Sequence, residues 1–332
     1  MGIEAGDRGG GLERVSAVSD IVVLDGATLA DGDTDWNDLR SMADNVTVYG
    51  GTSVEAVIER CADAEIVLTS KVPIRAGDMD RLTRLRYIGV LATGYDVVDI
   101  EAAARRRIVV TNIPSYGSES VAQFVFALLL ELFNRAGEHY SAVRQGCWTA
   151  HGEWSMRLTP LMELAGKTMG IVGYGRIGSR VRHIAEALGM SVIVNDRRDD
   201  LDVPVASLAD VLSTADVVTL HCPLTAETHG LINRDRISQM KRSVLLINTA
   251  RGPLVIAEDL AAALNDGRIA GAGLDVLWPE PPPADHPLLA AKNCIITPHI
   301  AWATREARQR LLHIGFENVR AYLNGTPSNT VS

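Results

Sequence analysis

Cysteine is scarce in this chain. Four stand among 332 residues, at positions 61, 147, 222 and 294, and no two form a CxxC pair. A disulfide scaffold and a thiolate zinc site are therefore excluded, and unpaired thiols point to a reducing compartment, the cytoplasm. There is no HExxH, no clustering of Cys with His and no cage of carboxylates, so no metal site is expected. Basic charge is in deficit too: 32 Lys and Arg face 41 Asp and Glu, for a net charge of −9. That argues against a nucleic-acid partner and against docking on anionic membranes, while leaving room for a local Arg that holds a small anion. No apolar run is long enough to span a bilayer; the most apolar, Val121 to Phe133, contains Gln123 and Glu131. The Gly-rich start lacks the apolar stretch of a signal peptide, and Gly6 is the wrong residue for myristoylation. Residues 1–19 read as a disordered extension.

What the chain has instead is alternation. At about 150 residues per domain its length suggests two domains. Short β-rich runs at Ile21–Leu24, Ile66–Thr69, Tyr87–Leu91 and Ile108–Thr111 alternate with helical patterns near 35–43, 53–61, 78–84 and 97–106. A long helical pattern follows from Glu119 to Val143, then an irregular stretch at 145–164. A second series has strands at 168–172, 191–195, 216–220, 243–247, 271–275 and 294–297, with helices at 176–188, 207–214, 234–240 and 256–267. A last helical pattern runs from Ala303 to Leu323. Such alternation predicts two doubly wound parallel-sheet α/β domains, with a boundary near residue 118. The last helix is free to return to the first domain.

Residues 170–178 read Gly-Ile-Val-Gly-Tyr-Gly-Arg-Ile-Gly, a GxGxxG at Gly173, Gly175 and Gly178 that spans Tyr174, Arg176 and Ile177. A lone GxGxxG is weak, but this one leaves a Val-rich strand and opens a helix, the context in which glycines permit a tight turn and close approach to a pyrophosphate. The next strand ends at Asp196, near the spacing expected of an acid on the adenosine ribose. A carboxylate there accepts from both ribose hydroxyls and repels a 2′-phosphate, which favours NAD. Arg197 and Arg198 leave room for a 2′-phosphate and therefore for NADP. The bland alternatives are a structural turn for the glycines and a strand-end cap for Asp196.

Three segments at expected C-terminal strand ends carry the other polar chemistry. They are Asn248-Thr249-Ala250-Arg251-Gly252-Pro253, then Asp275 with the following Glu280, and Thr297-Pro298-His299-Ile300-Ala301-Trp302. Ligands of open α/β sheets bind outside those ends. An Arg, a carboxylate and a His are what reduction of a 2-keto acid requires. Arg pairs with the substrate carboxylate, His gives a proton to the carbonyl oxygen, and a Glu beside it favours the charged imidazole. The catalytic candidates are thus Arg251, Glu280 and His299. His139, His151 and His313 read as surface residues, Lys71 as a solvated lysine, and His221 as structural or ligand-facing in equal measure. Trp302 reads as a pocket wall, and Trp154 as an arm residue reaching a partner subunit or as an interface aromatic.

These motifs resemble the D-2-hydroxyacid dehydrogenase family. The resemblance runs from Asp20 through Thr69-Ser70-Lys71-Val72-Pro73-Ile74, Ala92-Thr93-Gly94-Tyr95-Asp96, Ser120-Val121-Ala122-Gln123, the glycine fingerprint and His221-Cys222-Pro223-Leu224-Thr225 to Arg251, Asp275, Glu280 and His299. Within the family it is most like the glycerate dehydrogenases, or hydroxypyruvate reductases. The resemblance implies a Rossmann-type nucleotide domain at 118–300, with a dimerisation arm at about 119–165, and a discontinuous flavodoxin-like substrate domain at 20–117 and 301–332. It implies that Arg251 binds the substrate carboxylate, that His299 is the acid/base with Glu280 as partner, and that Asp275 and Ala301 meet the nicotinamide carboxamide. Cys222, Pro223 and Thr228 would line the adenine and pyrophosphate side, with Thr249 and Ala250 also against the cofactor. Ala92, Thr93 and Gly94 would offer N–H groups to the substrate carboxylate, with Trp302 beside the substrate. The stretch Gly152 to Arg157 is more polar than in glycerate dehydrogenases, which bears on substrate preference. The expected activity is NAD-dependent interconversion of a small 2-keto acid and its D-2-hydroxy acid by a cytoplasmic homodimer. Phosphoglycerate, D-lactate and formate dehydrogenases, and an NAD-sensing binding protein like the C-terminal-binding-protein corepressors, are the alternatives.

Overall fold

Strands that are apolar along their whole length must be covered on both faces, and in this chain they are. The computed structural model describes residues 20–30 and 35–331; the expected extension at 1–19 lies outside the described residues. The chain divides into two compact units, one holding the described residues up to Gly117 together with Arg305 onward, the other Ser118–Thr304.

The first unit is a parallel five-stranded sheet of β1 (Asp20–Val23), β2 (Asn45–Val48), β3 (Ile66–Thr69), β4 (Tyr87–Val90) and β5 (Val109–Thr111), in the order β2-β1-β3-β4-β5. This is the flavodoxin-like order. Every residue of β3 and β4 is buried, as expected of central parallel strands. Strand β2 was not expected from the sequence. It is an edge strand whose residues alternate between exposed and half-buried, so Asn45-Val46-Thr47-Val48 carries little apolar signal. The helix Arg305–Leu323 returns to this sheet. Gly315 lies so close to Leu91 that a Cβ would stand 2.6 Å from its Cδ2. The Tyr322 ring lies 4.7 Å from that of Tyr87, and the buried Asn318 donates to the Asn112 carbonyl at 3.0 Å.

The second unit is a parallel six-stranded sheet of β6 (Thr168–Val172), β7 (Ser191–Asn195), β8 (Val217–Leu220), β9 (Leu245–Asn248), β10 (Gly271–Leu274) and β11 (Cys294–Ile296), in the order β11-β10-β9-β8-β6-β7. An isolated parallel bridge sets Val205 on the outer side of Val194 in β7. Counted as a one-residue strand, it restores the 3-2-1-4-5-6 order of dinucleotide-binding sheets with one strand added. Apolar clusters cover both faces. The helix Ser118–Asn134 packs against β9 and β10 because Gly271 and Gly273 have no side chain; a Cβ on Gly273 would lie 3.0 Å from that of Leu128.

Two expectations need correction. The single helical pattern from Glu119 to Val143 is two helices, Ser118–Asn134 and Ala136–Arg144, broken where Arg135 takes a left-handed φ of 46°. The second crossing falls after Thr304 rather than after residue 300. Ala301 is tied into the second unit by its N–H to Asp275 and by its carbonyl, which accepts from Ser120.

Leu129 is fully buried in the cluster beneath β6 and β9. Leu129→Ala should destabilise the second unit by about 2–5 kcal/mol. Denaturant unfolding checks this; an unchanged midpoint would mean that this helix is not held by that core.

Candidate active site

Strands β9, β10 and β11 end level, with Leu274 in register with both Asn248 and Ile296. Their C-terminal loops therefore stand side by side. Asn248, the last residue of β9 and buried, shapes the first. Its Oδ1 accepts from the Ala250 N–H at 3.0 Å, its Nδ2 donates to the Arg251 carbonyl at 2.9 Å, and its own carbonyl accepts from the Asp275 N–H at 2.9 Å. Arg251 is exposed at the tip and donates to the Ala250 carbonyl at 2.7 Å. The next residue has to be glycine, because a Cβ on Gly252 would collide with the Leu277 carbonyl. That close approach holds the Arg251 loop against the loop that carries Glu280.

Glu280 is held from both ends. Its Oε1 accepts from the Leu277 N–H at 3.0 Å, and its Oε2 meets Nδ1 of His299 at 2.7 Å. His299 has φ of 55°, a left-handed backbone that side chains avoid. Its neighbours hold it there: its N–H donates to the Thr297 carbonyl at 3.0 Å, and its carbonyl accepts from the Trp302 indole at 2.9 Å. Strain of this kind persists where the surroundings over-determine it. With Nδ1 taken by Glu280, Nε2 is the nitrogen left to exchange a proton; it has no partner among the described residues.

Asp275 organises this segment. Its buried carboxylate accepts from the Thr297 hydroxyl at 2.6 Å and the Ile300 N–H at 2.9 Å on one oxygen, and from the Ala301 N–H at 2.8 Å on the other. Burial pushes its pKa up against the opposing pull of these hydrogen bonds. The sequence reading aimed Asp275 and Ala301 at the nicotinamide carboxamide. In the structure their hydrogen bonds go first to each other and to Ser120, whose hydroxyl donates to the Ala301 carbonyl at 2.5 Å. Only the remaining lone pairs of the carboxylate and the carbonyl are available to an amide.

The glycine turn obeys the same steric logic. Gly173 has φ of 95°, and a Cβ there would stand 2.5 Å from the Cys222 nitrogen. A Cβ on Gly178 would collide with the Gly173 carbonyl, whereas one on Gly175 would meet nothing within 4 Å. The turn is thus closed on two sides and open on the third. The helix Arg176–Ala187 begins there without a side-chain cap, an anion site by its geometry. Thr249 adds a buried hydroxyl with no partner among the described residues. These features fit a dinucleotide. Ile177 packs into the core beneath the sheet, and the Tyr174 hydroxyl accepts from Arg182 at 2.9 Å, so both act mainly through their backbone. Thr228 bonds the Pro223 carbonyl at 2.7 Å and closes its own loop. Cys222 is half-buried, and burial raises its thiol pKa. His221 is half-buried, with its Nδ1 shielded, and desolvation pushes its pKa down to about 3, so it stays neutral near pH 7.

In the first unit, Ala92, Thr93 and Gly94 follow β4. The carbonyls of Ala92 and Thr93 accept from the Ile113 N–H and the Asn112 amide, and the Thr93 hydroxyl donates to the Ile113 carbonyl. The N–H groups of 92–94 have no partner among the described residues, so they are open to an acceptor. The sequence reading left Asn248, Gly252 and Ser120 out of its site residues. Each was quoted within a motif, but their positioning roles depend on contacts with distant segments.

Fold and site together define a nicotinamide-dependent oxidoreductase. A sequence profile described as the NAD-binding domain of D-isomer-specific 2-hydroxyacid dehydrogenase matches residues 126–301. The chain is 46% identical over 320 residues to a hydroxypyruvate reductase of Blautia hydrogenotrophica, covering 94% of this chain and 99% of that one. It is 42% identical to a glycerate dehydrogenase of Methylorubrum extorquens, covering 83% and 88%. The TT0316 protein of Thermus thermophilus superposes with a TM-score of 0.84 at 39% identity, covering 94% of this chain and all of that one. The chain belongs to the D-2-hydroxyacid dehydrogenase family. It is an NAD-dependent enzyme that interconverts 2-keto and 2-hydroxy acids.

Asp275→Asn would turn an amide N–H2 or a poorer acceptor toward the three donors of 297–301, at a cost of about 1–3 kcal/mol for each donor left unmet. The sign with pH follows from the raised pKa. A carboxyl whose folded pKa lies above its unfolded value contributes stability that is present below the unfolded pKa and is lost as pH rises through the folded one. The stability deficit of Asp275→Asn should therefore shrink as pH rises from about 4. A pH series of unfolding midpoints measures it; a deficit that grows with pH would contradict the assignment.

Proposed function

We propose that this enzyme reduces hydroxypyruvate or glyoxylate with NADH to the corresponding 2-hydroxy acid, the D isomer where a stereocentre forms, and, in reverse, oxidises that acid. The observation that carries the reading is the 2.7 Å Glu280–His299 pair, held beside the Arg251 loop at the level ends of β9, β10 and β11. When bound, the nicotinamide supplies or takes the hydride. Arg251 pairs with the substrate carboxylate in the bidentate geometry of a guanidinium and draws electron density from the keto group. His299 Nε2 gives a proton to the carbonyl oxygen and retrieves it in the reverse direction. Glu280 orients the ring through its 2.7 Å contact with Nδ1. The unpartnered N–H groups of Ala92, Thr93 and Gly94 suit a carboxylate acceptor, which makes the first unit the substrate domain. Trp302, tied to the His299 carbonyl, walls the substrate. Asp196, the turn 173–178, Cys222, Pro223, Thr228, Thr249 and Ala250 receive the cofactor.

The two relatives named above support the small substrate. A homodimer in the cytoplasm fits the segment 136–162, which exposes Tyr140, Trp148, Trp154, Leu161 and Met162. An apolar stretch of this kind marks a protein contact. The four cysteines are unpaired.

NADH oxidation with hydroxypyruvate, glyoxylate, pyruvate and 3-phosphohydroxypyruvate tests the substrate. The highest kcat/KM should fall to hydroxypyruvate or glyoxylate. Preference for pyruvate or the phosphorylated acid would replace this reading with a D-lactate or phosphoglycerate enzyme, and negligible turnover despite NADH binding would favour a cofactor-sensing role. His299→Ala should lower kcat by on the order of 10²–10⁴ while NADH still binds. A His299→Ala variant that keeps near wild-type kcat would take the proton away from His299.

A further inference from the structure

Asp196 is not free to receive a ribose as it stands. Its Oδ1 accepts from the Arg198 N–H at 3.0 Å and from Arg198 Nε at 2.9 Å. Its Oδ2 accepts from the Tyr174 N–H at 2.6 Å and from Arg198 Nη2 at 3.2 Å. A carboxylate offers about four acceptor positions, and all four are filled. Two of the donors are backbone groups fixed by the glycine turn and the strand end. The other two belong to one guanidinium, which is half-exposed and lies over a carboxylate that is only 12% exposed. That guanidinium also donates to the Tyr174 carbonyl at 2.7 Å, so it bridges the glycine turn and the strand end.

Removing the guanidinium vacates one acceptor position on each carboxylate oxygen. Two acceptors side by side match the two neighbouring hydroxyls of an adenosine ribose. A ribose carrying a 2′-phosphate cannot use Asp196 in this way, since two anions would face each other. It can take the guanidinium itself, whose fork pairs with a phosphate in bidentate fashion.

We propose that Arg198 is a movable clasp that decides cofactor choice: it covers Asp196 in the free enzyme, swings off to admit NADH, and turns onto the 2′-phosphate to admit NADPH. The enzyme then uses both cofactors although it keeps the acidic residue that usually rejects NADPH. The proposal rests on Asp196 as the ribose residue and not on which keto acid is reduced. Arg197, the neighbouring cation, makes no ion pair with Asp196 and has no part in the clasp.

The test is direct binding of NADH and NADPH, without keto acid, by titration calorimetry. The native enzyme should bind NADPH within about tenfold of NADH. Arg198→Ala removes the competitor for Asp196 at the cost of one exposed ion pair, so NADH should bind as much as about fivefold tighter. The same variant loses a charge-assisted phosphate partner, so NADPH should bind at least about tenfold more weakly. Arg197→Ala should leave the ratio of the two within about twofold. An unchanged ratio in Arg198→Ala overturns the proposal, as does a shift produced by Arg197→Ala instead. Weaker NADH binding in Arg198→Ala also overturns it, because that would make Arg198 a support for Asp196 and not its competitor. Since no keto acid is present, a wrong substrate assignment leaves these outcomes untouched.

Discussion

One buried carboxylate sets the geometry on which the chemistry depends. Asp275 lies at the end of β10 and takes three hydrogen bonds from a segment that begins one strand away. Those bonds place Thr297, Ile300 and Ala301, and the residue between them, His299, is left with a backbone it would not choose alone. A charged group costs free energy to bury unless its acceptors are met. The same requirement that makes Asp275 expensive therefore makes the segment rigid, since any other course for 297–301 leaves the carboxylate unsatisfied.

The supports around it work by exclusion as much as by attraction. Gly252 admits the Leu277 carbonyl where any side chain would stand, and so the Arg251 loop and the Glu280 loop share one surface. Gly173 and Gly178 close the nucleotide turn in the same manner, while Gly175 is left facing open space. Asn248 and Ser120 then fix the backbone that remains, one from the end of β9 and one from the helix Ser118–Asn134. The residues that hold Arg251, Glu280 and His299 in register come from several segments. Precision of this kind is what proton transfer to a bound carbonyl needs.

The nucleotide end follows a different rule. Around His299 the backbone and Nδ1 are held by partners within the same fold. At Asp196 the polar groups are paired with a side chain that lies outside and costs little to displace, since an exposed ion pair is weak in water. A ligand site can be stable when empty and still open to its ligand if the internal partner is the weaker one. The balance between rigid and replaceable pairing distinguishes the surroundings of His299 from those of Asp196.

Much of this was legible in the sequence. Alternation of fully apolar runs with helical patterns determined two parallel-sheet units, because strands buried on both faces leave no other composition. Gly173 and Gly178 stood out because glycine alone tolerates their contacts, and the roles proposed for Arg251, Glu280 and His299 follow from residue type and spacing. What escaped was whatever depends on contacts across the fold. Strand β2 is half exposed and carries little apolar signal. The break at Arg135 has no proline to announce it, and the nearby Gly137 lies inside the second helix. The anchoring of Ala301 to the second unit arises from Asp275 and Ser120, 26 and 181 positions away. The covering of Asp196 by Arg198 is local in sequence, yet its meaning lies in the Tyr174 groups that meet it from the glycine turn. The sequence by itself determined which chemistry the chain carries, since side-chain type and spacing are written there. Only the tertiary structure decided which lone pairs are already taken, because a hydrogen bond needs a partner at about 3 Å and sequence separation does not measure that distance.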